Sequence, residues 1–285
     1  MMARNDNRTF ELPADLDFDA STAAALLVDF IRREIRKAGF SRAVLGLSGG
    51  VDSAAAAALA VRALGAGNVV CAILPYRTSS PDSLSDARRM IRLLGTRSVR
   101  FAITPMIDAY FAGQGRASAL RRGNKMARER MAVLYDISAR ERALVVGTSN
   151  KTELLLGYGT IFGDLACGIN PLGDLYKTQV RGLALHLGVP RHIVFKVATA
   201  DLWPGQSDEQ EIGALYADVD RLLHLLVDRR ASPGEAIAFG FARPMVRRIT
   251  ERISASQFKR RTPLIAKVSS RTVGIDFLYP RDWGR

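Results

Sequence analysis

The sequence predicts an α/β protein, with a doubly wound parallel sheet in its first half and a mostly helical C-terminal part. Short apolar runs, typical of buried strands, alternate with stretches of helical periodicity. Polar and glycine-rich segments follow several of these runs, at the edge where open α/β sheets bind ligands. Beyond about residue 174 the strand-like runs stop and helical stretches dominate.

In the first half, each predicted strand is followed by a predicted helix. The first helix is capped by Asp19 or Ser21 and runs to about Lys37, and Gly39 ends it. The apolar run 43–45 is the first strand, and a glycine turn leads from it into an alanine-rich helix. The remaining elements of this half, in order, are helix 54–64, strand 69–74, helix 82–94, strand 99–103, helix 117–142 and strand 144–146.

Past the fourth strand the alternation gives way to glycine-rich turns and helices. Glycines at 157, 159 and 163 predict a flexible segment that ends at Asp164. The segment 199–206 lacks periodicity and is a candidate lid. Helices are expected over 176–187, 208–228 and 242–256, with a turn at 232–234.

The chain of 285 residues is long enough for one domain with a full core. We expect a loose N-terminal arm over residues 1–19 and a single domain over residues 20–285. The hydrophobic fraction of 48% and the charged fraction of 24% are those of an ordinary globular protein. No apolar run approaches the ~20 residues that span a bilayer, and the polar start predicts no signal peptide. The cytoplasm is therefore the expected location.

The formal net charge of +13 raises nucleic acid as a partner. The basic residues are mostly arginines scattered through helical stretches beside acidic neighbours, and a polyanionic substrate such as ATP would also favour a positive site. We therefore expect no nucleic-acid partner. The two cysteines, Cys71 and Cys167, lie far apart and outside any zinc-binding pattern, which predicts structural thiols.

The strongest motif is the stretch Gly46–Ser53, Gly-Leu-Ser-Gly-Gly-Val-Asp-Ser, between the first strand and its helix. Glycines let successive backbone N–H groups converge on one point, and the helix start adds unpaired donors, so the stretch predicts phosphate binding. For the two glycines alone, a turn that only packs is the alternative. Asp52 at about 4 Å from a phosphate would cost about 4 kcal/mol at an effective dielectric near 20, unless a cation lies between them. Asp52 therefore indicates Mg²⁺.

Two better-known phosphate loops are excluded by spacing. No lysine follows the glycines as the Walker pattern requires, and the third glycine of the dinucleotide fingerprint is missing. The hexapeptide Ser48–Ser53 instead resembles the pyrophosphate loop of the ATP pyrophosphatases. Polar residues also follow the second and fourth strands, among them Arg77, Thr148 and Glu153.

Over about residues 20–270 the chain resembles the NAD synthetase branch of that superfamily. The matching segments, in the family's order, are Ser48–Ser53, Pro75–Pro81, Ala127–Met131, Val145–Thr148 with Glu153, Gly163–Asp164, Gly173–Val180, Thr199–Leu202 and Lys259–Pro263. The resemblance implies an adenine nucleotide alpha hydrolase-like, Rossmann-like fold. It also implies a reaction: ATP adenylates the nicotinate carboxylate of deamido-NAD, pyrophosphate leaves, and ammonia attacks the acyl-adenylate to give NAD and AMP.

The resemblance further implies roles for particular residues. The implied ATP-binding set is Gly46, Leu47, Ser48, Gly49, Gly50, Val51, Asp52, Ser53, Arg77, Thr148, Lys177 and Thr199. Within that set Asp52 and Lys177 are the implied catalytic residues, and Asp52 with Glu153 would hold Mg²⁺. Deamido-NAD is expected at Asn124, Arg128, Asp164 and Lys259. Tyr135 is a weaker candidate for stacking, with core packing as its alternative.

Three positions depart from the better-known family pattern. Where that pattern has lysine, aspartate and histidine, this chain has Ile161, Gly168 and Phe258. Such positions usually touch deamido-NAD, so one alternative is a ligase that amidates a different adenylated carboxylate. A tRNA-modifying adenylating enzyme is a second alternative, favoured by the charge and opposed by the lack of paired catalytic cysteines or a zinc cluster. A nucleotide-binding regulator with a decayed site is opposed by the intact acidic and basic site residues.

The nitrogen donor is indicated by what the chain lacks. A glutamine-hydrolysing version would need an additional domain with its own cysteine nucleophile, so free ammonia is the expected donor. A separate amidotransferase partner is the alternative. The resemblance also implies a homodimer with active sites near the subunit interface.

Overall fold

A single parallel sheet organises the molecule, which the computed structural model describes over residues 12–203, 205–261 and 263–277. Its strands lie in the order β3-β2-β1-β4, and they are β1 Arg42–Gly46, β2 Val69–Ile73, β3 Arg97–Arg100 and β4 Ala143–Val145. Val44 in β1 lies opposite Val70 in β2 and Val145 in β4. The chain builds outward from β1 to β3 and then returns to place β4 on the other side of β1. Ligands bind outside the carboxyl ends of strands at such a reversal.

Helices surround this sheet and form most of the C-terminal part. In chain order they are α1 Ala20–Lys37, α2 Val51–Leu64, α3 Pro81–Leu94, α4 Thr104–Phe111, α5 Ala119–Glu141, α6 Lys151–Leu156, α7 Lys177–His186, α8 Arg191–Val194, α9 Asp208–Ile212, α10 Tyr216–Leu223, α11 Pro233–Ala238 and α12 Arg243–Ala255. A π-helical turn, His224–Asp228, extends α10. The predicted combination of a parallel sheet with a helical C-terminal part is confirmed.

Both faces of the sheet are covered, which is why β1, β2 and β4 are nearly continuous apolar runs. The edge strand β3, Arg-Ser-Val-Arg, is polar and mostly exposed. Alternate residues of β1 face opposite layers: Leu45 packs with α1, α2, α3 and α7, and Val44 packs with α4 and α5. Helix α2 is exceptional, because its alanines from Ala54 to Ala60 are buried almost without exposure beneath α1 and α7. Small side chains let these helices approach one another and the sheet closely.

A third apolar cluster holds the C-terminal helices together and includes Tyr176, Tyr216, Leu222 and Ile249. Leu16, near the start of the described chain, is buried in this cluster, and its carbonyl oxygen accepts a hydrogen bond from Gln179 Nε2 at 3.1 Å. Within the predicted arm, an apolar side chain therefore anchors residues 12–19 to the C-terminal helices. The rest of that predicted arm lies outside the described residues.

Several element boundaries differ from the sequence prediction, for local reasons. The helix predicted from residue 54 begins at Val51, directly after the phosphate loop. The strand predicted over 99–103 begins at Arg97, and only single hydrogen bonds to the β2 side extend it to Ile103. Helix α4 follows at once and is missing from the prediction, although Pro105 lies in its first turn, where proline is tolerated.

The C-terminal helices are more interrupted than periodicity predicted. The helix expected over 208–228 is broken at Gly213, which ends α9 with a left-handed φ of +80°. The turn expected at 232–234 is the start of α11, where Ser232 and Glu235 form a reciprocal capping box. Across the described ranges, no helix is both long and apolar enough to cross a membrane.

Candidate active site

The stretch Gly46–Ser53 forms a compact loop between β1 and α2. Ser48 N donates to Ser53 Oγ at 3.2 Å, the two hydroxyl oxygens lie 3.0 Å apart, and Gly50 N donates to Ser48 Oγ at 3.2 Å. Gly49 has a φ of +85°, and a Cβ there would lie 2.1 Å from Ser83 O in α3. Only glycine fits at this position, so the loop is held between its own hydroxyls and a neighbouring backbone.

Three charged side chains meet beside this loop, from three separate elements. Lys177 Nζ, at the start of α7, forms an ion pair with Asp52 Oδ2 in α2 and lies 3.3 Å from Glu153 Oε1 in α6. The Lys177 side chain is only 4% exposed, and the two carboxylates are 16% exposed. The structure therefore brings together both implied catalytic residues and both implied metal ligands.

Asn150 connects the two acidic residues and was not singled out from the sequence. Its side-chain nitrogen donates to Asp52 Oδ1 at 2.9 Å, and its side-chain oxygen accepts from Glu153 N at 2.9 Å. Glu153 Oε2 accepts in return from Asn150 N at 3.3 Å, which completes a capping box at the start of α6. The spacing Asn-x-x-Glu is the sequence signal that could have identified Asn150 as a cap.

A third carboxylate, Asp208 at the start of α9, lies near this cluster and was also missed from the sequence. It is buried, and its oxygens accept hydrogen bonds from Tyr158 OH at 2.9 Å and Tyr216 OH at 3.2 Å. Lys177 Nζ lies 5.3 Å from the centre of the Tyr216 ring. Acidic residues are common in the first turn of a helix, where they interact favourably with the helix dipole. No sequence signal therefore separated Asp208 from an ordinary surface residue.

Burial and the neighbouring charges shift the pKa values in this cluster. Burial raises the pKa of Glu153 to about 8, with Asp52 and Asp208 adding to the shift and Lys177 opposing it. Burial lowers the pKa of Lys177, but the carboxylates of Asp52 and Glu153 outweigh it and hold that pKa above its usual value. Three carboxylates around one ammonium leave an excess of negative charge, which favours a further cation or a proton.

The oxygen ligands of Asp52 and Glu153 fit Mg²⁺, which usually takes one or two protein carboxylates and completes its shell with phosphate oxygens and water. Within the described residues, no group of three or more His, Cys, Asp or Glu side chains could hold a metal ion unaided. In this structure the Lys177 ammonium contacts both carboxylates. Mg²⁺ therefore fits as an ion that arrives with a polyphosphate.

The other implied ATP-binding residues are placed differently. Thr148 lies half-buried between β4 and α6, on the same edge as the phosphate loop. Arg77 is turned to Asp108 in α4, with which it forms an ion pair, and its Nε donates to Tyr76 OH at 3.1 Å. The structure therefore does not bring Arg77 to the charged cluster.

The predicted lid is joined to the loop that follows β2. Thr199 Oγ1 accepts from Asp201 N at 3.0 Å, and Asp201 Oδ2 accepts from Ser80 N at 2.9 Å. Ser80 also caps α3 through its hydroxyl. Thr199 thus lies in a segment connected by a hydrogen bond to the neighbouring ligand-edge loop, and Pro204 of this segment lies outside the described residues.

The four implied substrate residues converge on the segment 157–164. They make the following contacts: Asn124 Oδ1 accepts from Thr160 Oγ1 at 2.7 Å, Arg128 Nε donates to Ile161 O at 3.3 Å, Asp164 Oδ1 accepts from Thr160 N at 2.7 Å, and Lys259 Nζ donates to Gly157 O and Gly159 O at 2.8 Å each. The segment that glycine content predicted to be flexible is thus tied by hydrogen bonds to α5 and to the chain after α12. Tyr135 is 41% exposed, on α5.

With this geometry described, comparison with known proteins decides the family. The family model described as NAD synthase matches residues 23–263. The chain belongs to the NAD synthase family. The resemblance that the separate motifs indicated is confirmed, and it extends over all four strands and the C-terminal helices.

Relatives and solved structures of NAD synthase family members agree with this assignment. The chain is 53% identical over 271 residues to an NH(3)-dependent NAD(+) synthetase from Chlorobaculum tepidum, covering 95% of this chain and 98% of the relative. An NMN synthetase from Francisella tularensis superposes with a TM-score of 0.79 at 33% identity, covering 88% of this chain and 99% of that one. An NH3-dependent NAD synthetase from Campylobacter jejuni superposes with a TM-score of 0.75 at 32% identity, covering 88% and 100%.

The three departures from the NAD synthase pattern lie in unlike surroundings. Gly168 N donates to Val145 O at 2.8 Å, and a Cβ at Gly168 would lie 2.6 Å from Leu144 Cδ1. An aspartate there would require Leu144 to move. Phe258 is 62% exposed, and Ile161 offers its carbonyl oxygen to Arg128.

Proposed function

We propose that this protein is an ammonia-dependent carbon–nitrogen ligase that amidates deamido-NAD to NAD and converts ATP to AMP and pyrophosphate. The observation that carries the proposal is the meeting of Asp52, Glu153 and Lys177 beside a glycine-rich loop in a member of the NAD synthase family. Ammonia is the nitrogen donor, because the chain matches nearly the whole length of relatives whose names specify it. ATP is a substrate of this reaction.

The chemistry needs no protein nucleophile. An oxygen of the nicotinate carboxylate attacks the α-phosphorus of ATP, and the bond from that phosphorus to the bridging oxygen breaks as pyrophosphate leaves. The nitrogen of ammonia then attacks the acyl carbon, loses a proton, and displaces AMP. Attaching AMP gives a poor electrophile a good leaving group, so the contribution of the protein is charge neutralisation and positioning.

In this reading the loop Gly46–Ser53 holds the leaving pyrophosphate. The N–H groups at the start of α2, a helix of 14 residues, supply donors and a positive dipole end. The ammonium of Lys177 offsets charge on the phosphates, a charge-assisted contact worth about 1.5–3 kcal/mol. Thr148 and Thr199 contact the nucleotide, and Arg77 reaches it only after it leaves Asp108.

Asp52 and Glu153 would hold Mg²⁺ together with oxygens of the bound polyphosphate. When bound, Mg²⁺ supplies positive charge that neutralises the phosphate oxygens. The two carboxylates share the Lys177 ammonium, so this lysine compensates part of their negative charge. On the substrate side, Asn124 and Arg128 of α5, with Asp164 and Lys259, bind deamido-NAD.

One assay tests the function. Purified protein is mixed with ATP, Mg²⁺, ammonium and deamido-NAD, and NAD and pyrophosphate are followed together. We expect equal amounts of the two products, and much slower formation when glutamine replaces ammonium. No NAD at saturating substrates would overturn the proposal.

Two further reactions separate the alternatives. In the first reaction, nicotinate mononucleotide replaces deamido-NAD, because a solved relative is an NMN synthetase. Faster amidation of the mononucleotide would assign the activity to that substrate instead. In the second reaction, transfer RNA replaces deamido-NAD, and pyrophosphate release stimulated by RNA would favour an RNA-modifying enzyme.

Homodimerisation stays a prediction, which sedimentation equilibrium of the same preparation checks.

A further inference from the structure

One fully buried carboxylate has no place in the reaction described so far. Asp220 lies in α10 with 0% of its surface exposed. Its Oδ1 accepts from Thr152 Oγ1 at 2.5 Å, and its Oδ2 accepts from Thr178 N and Thr178 Oγ1 at 2.8 Å each. A buried carboxylate is costly unless donors satisfy it, and here three donors from two other helices do so.

The two threonines adjoin the charged site residues. Thr152 immediately precedes Glu153 in α6, and Thr178 immediately follows Lys177 in α7. Thr152 Oγ1 also accepts from Lys177 N at 3.0 Å, so its single hydroxyl joins α6, α7 and α10. A threonine hydroxyl has one donor hydrogen, and because Thr152 donates it to Asp220, both bonds can exist together.

Helix α10 is itself fixed by apolar packing. Val219, Leu222 and Leu223, the neighbours of Asp220 in sequence, are buried in the C-terminal apolar cluster. The Asp220 carboxylate therefore lies on a well-packed helix and contacts the first turns of α6 and α7. Those first turns carry Glu153 and Lys177, the two groups that meet with Asp52 beside the phosphate loop.

We propose that Asp220 is a positioning residue: through Thr152 and Thr178 it sets the distance between α6 and α7 at which Lys177 reaches both Asp52 and Glu153. The proposal rests on the proposed function only where catalysis is the readout. It gives the helical C-terminal part a role in the chemistry of the sheet edge. Displacement of a charged group by about 1 Å costs up to about 100-fold in rate, which sets the size of the expected effect.

Thr152 offers the sharpest test, because valine keeps its shape and removes the hydroxyl. For Thr152→Val we expect kcat to fall about 10- to 100-fold, with KM for deamido-NAD within about twofold of the wild type. Thr152→Ser keeps the hydroxyl and should restore kcat to within about threefold. The matched control is Thr96→Val, a buried threonine whose hydroxyl donates to Cys71 Sγ at 3.5 Å, far from the site. It should lose comparable stability and keep its kcat.

Two results would overturn the proposal. In one, Thr152→Val loses as much thermal stability as Thr96→Val yet keeps kcat within about twofold. In the other, Thr152→Ser folds like the wild type and remains as slow as the valine variant. Asp220→Asn keeps the size of the side chain but turns one acceptor into a donor, and we expect its kcat to fall at least as far as that of Thr152→Val.

ATP affinity gives a readout that does not depend on which carboxylate is activated. Calorimetric titration with ATP and Mg²⁺ should show Kd raised about tenfold in Thr152→Val and unchanged in Thr96→Val, because misplaced Lys177 no longer meets the phosphates. If the wild type makes no NAD, the function fails and this affinity comparison still tests the positioning. If the wild type makes NAD and both variants bind ATP and turn over alike, only the positioning fails.

Discussion

The two halves of the candidate site are built in opposite ways. On the phosphate side, charged side chains from α2, α6 and α7 meet one another and are largely buried. On the substrate side, Asn124, Arg128 and Lys259 are bound to the segment 157–164, and two of these bond to its backbone carbonyls. The phosphate side is assembled by the fold, whereas residues of the proposed substrate side would exchange hydrogen bonds with their own chain for bonds to a ligand. Changes on the first side should therefore act on kcat and on ATP affinity, and changes on the second on KM for deamido-NAD.

The largest effect should follow from Asp52→Asn. Asparagine keeps the shape but removes the charge that pairs with Lys177 and that would bind Mg²⁺, so we expect kcat to fall about 10³-fold with the fold intact. Steady-state NAD formation and circular dichroism measure the two quantities. Glu141→Gln is the matched control, since the Glu141 side chain is 13% exposed and ion-paired to Arg97, and Glu141 is the last residue of α5, at the opposite edge of the sheet. Near-normal rates for Asp52→Asn with Mg²⁺ would contradict the metal assignment.

A large effect on ATP binding should follow from Gly49→Ala. The added Cβ would meet Ser83 O at 2.1 Å, so α3 or the loop must shift, and we expect ATP affinity to fall about 100-fold. Gly65→Ala is the control, because Gly65 has a φ of +83° with no atom within 4 Å of its Cβ position. Both variants carry backbone strain of about 1–3 kcal/mol, and only the first should weaken ATP binding in a calorimetric titration. An equal loss of ATP affinity in both variants would show that backbone strain, and not the contact with α3, weakens ATP binding.

A moderate effect on KM for deamido-NAD should follow from Arg128→Met. Removing a charged donor should raise KM for deamido-NAD about 10- to 100-fold, while kcat changes less than about threefold. Arg140→Met, an exposed arginine at the far end of the same helix, should leave both constants unchanged. A fall in kcat without a change in KM would erase the distinction between the two halves of the site.

The smallest effect should follow from Gly168→Ala. The new methyl group would press on Leu144 Cδ1, so we expect the free energy of unfolding to fall by about 1 kcal/mol and KM for deamido-NAD to stay within about twofold. Gly67→Ala, with no atom within 4 Å of its Cβ position, is the control for chemical denaturation. A tenfold rise in KM would place Gly168 on the substrate side after all.

The sequence was most informative where structure is local. The stretch Gly46–Ser53 could be recognised because its glycines, hydroxyls and helix start lie within eight successive positions, and the family pattern then added Glu153 and Lys177. Asn150 and Asp208 were missed because their roles depend on partners far along the chain, Asp52 in one case and Tyr158 in the other. One helix was predicted over 208–228 because the pattern of apolar residues continues across Gly213, although the backbone turns there.

Boundary errors have a similar origin. No helix was predicted between the strand 99–103 and residue 117, and only the surrounding fold shows that Pro105 lies in the first turn of α4. Ser232, Pro233 and Gly234 are typical of a turn, and they also satisfy the capping chemistry of α11. Arg77 matched the family pattern for the nucleotide site, yet Asp108 of the unpredicted α4 holds it elsewhere.

The alanine run of α2 has a thermodynamic consequence for the loop at its start. Alanine has no side-chain rotamers to lose, so the wall behind the phosphate loop forms at almost no cost in side-chain entropy. The same property leaves that wall without alternative packings, because a methyl group cannot be rearranged by rotation. Heating therefore gains little side-chain entropy from this part of α2, and the helix keeps one packing behind the loop.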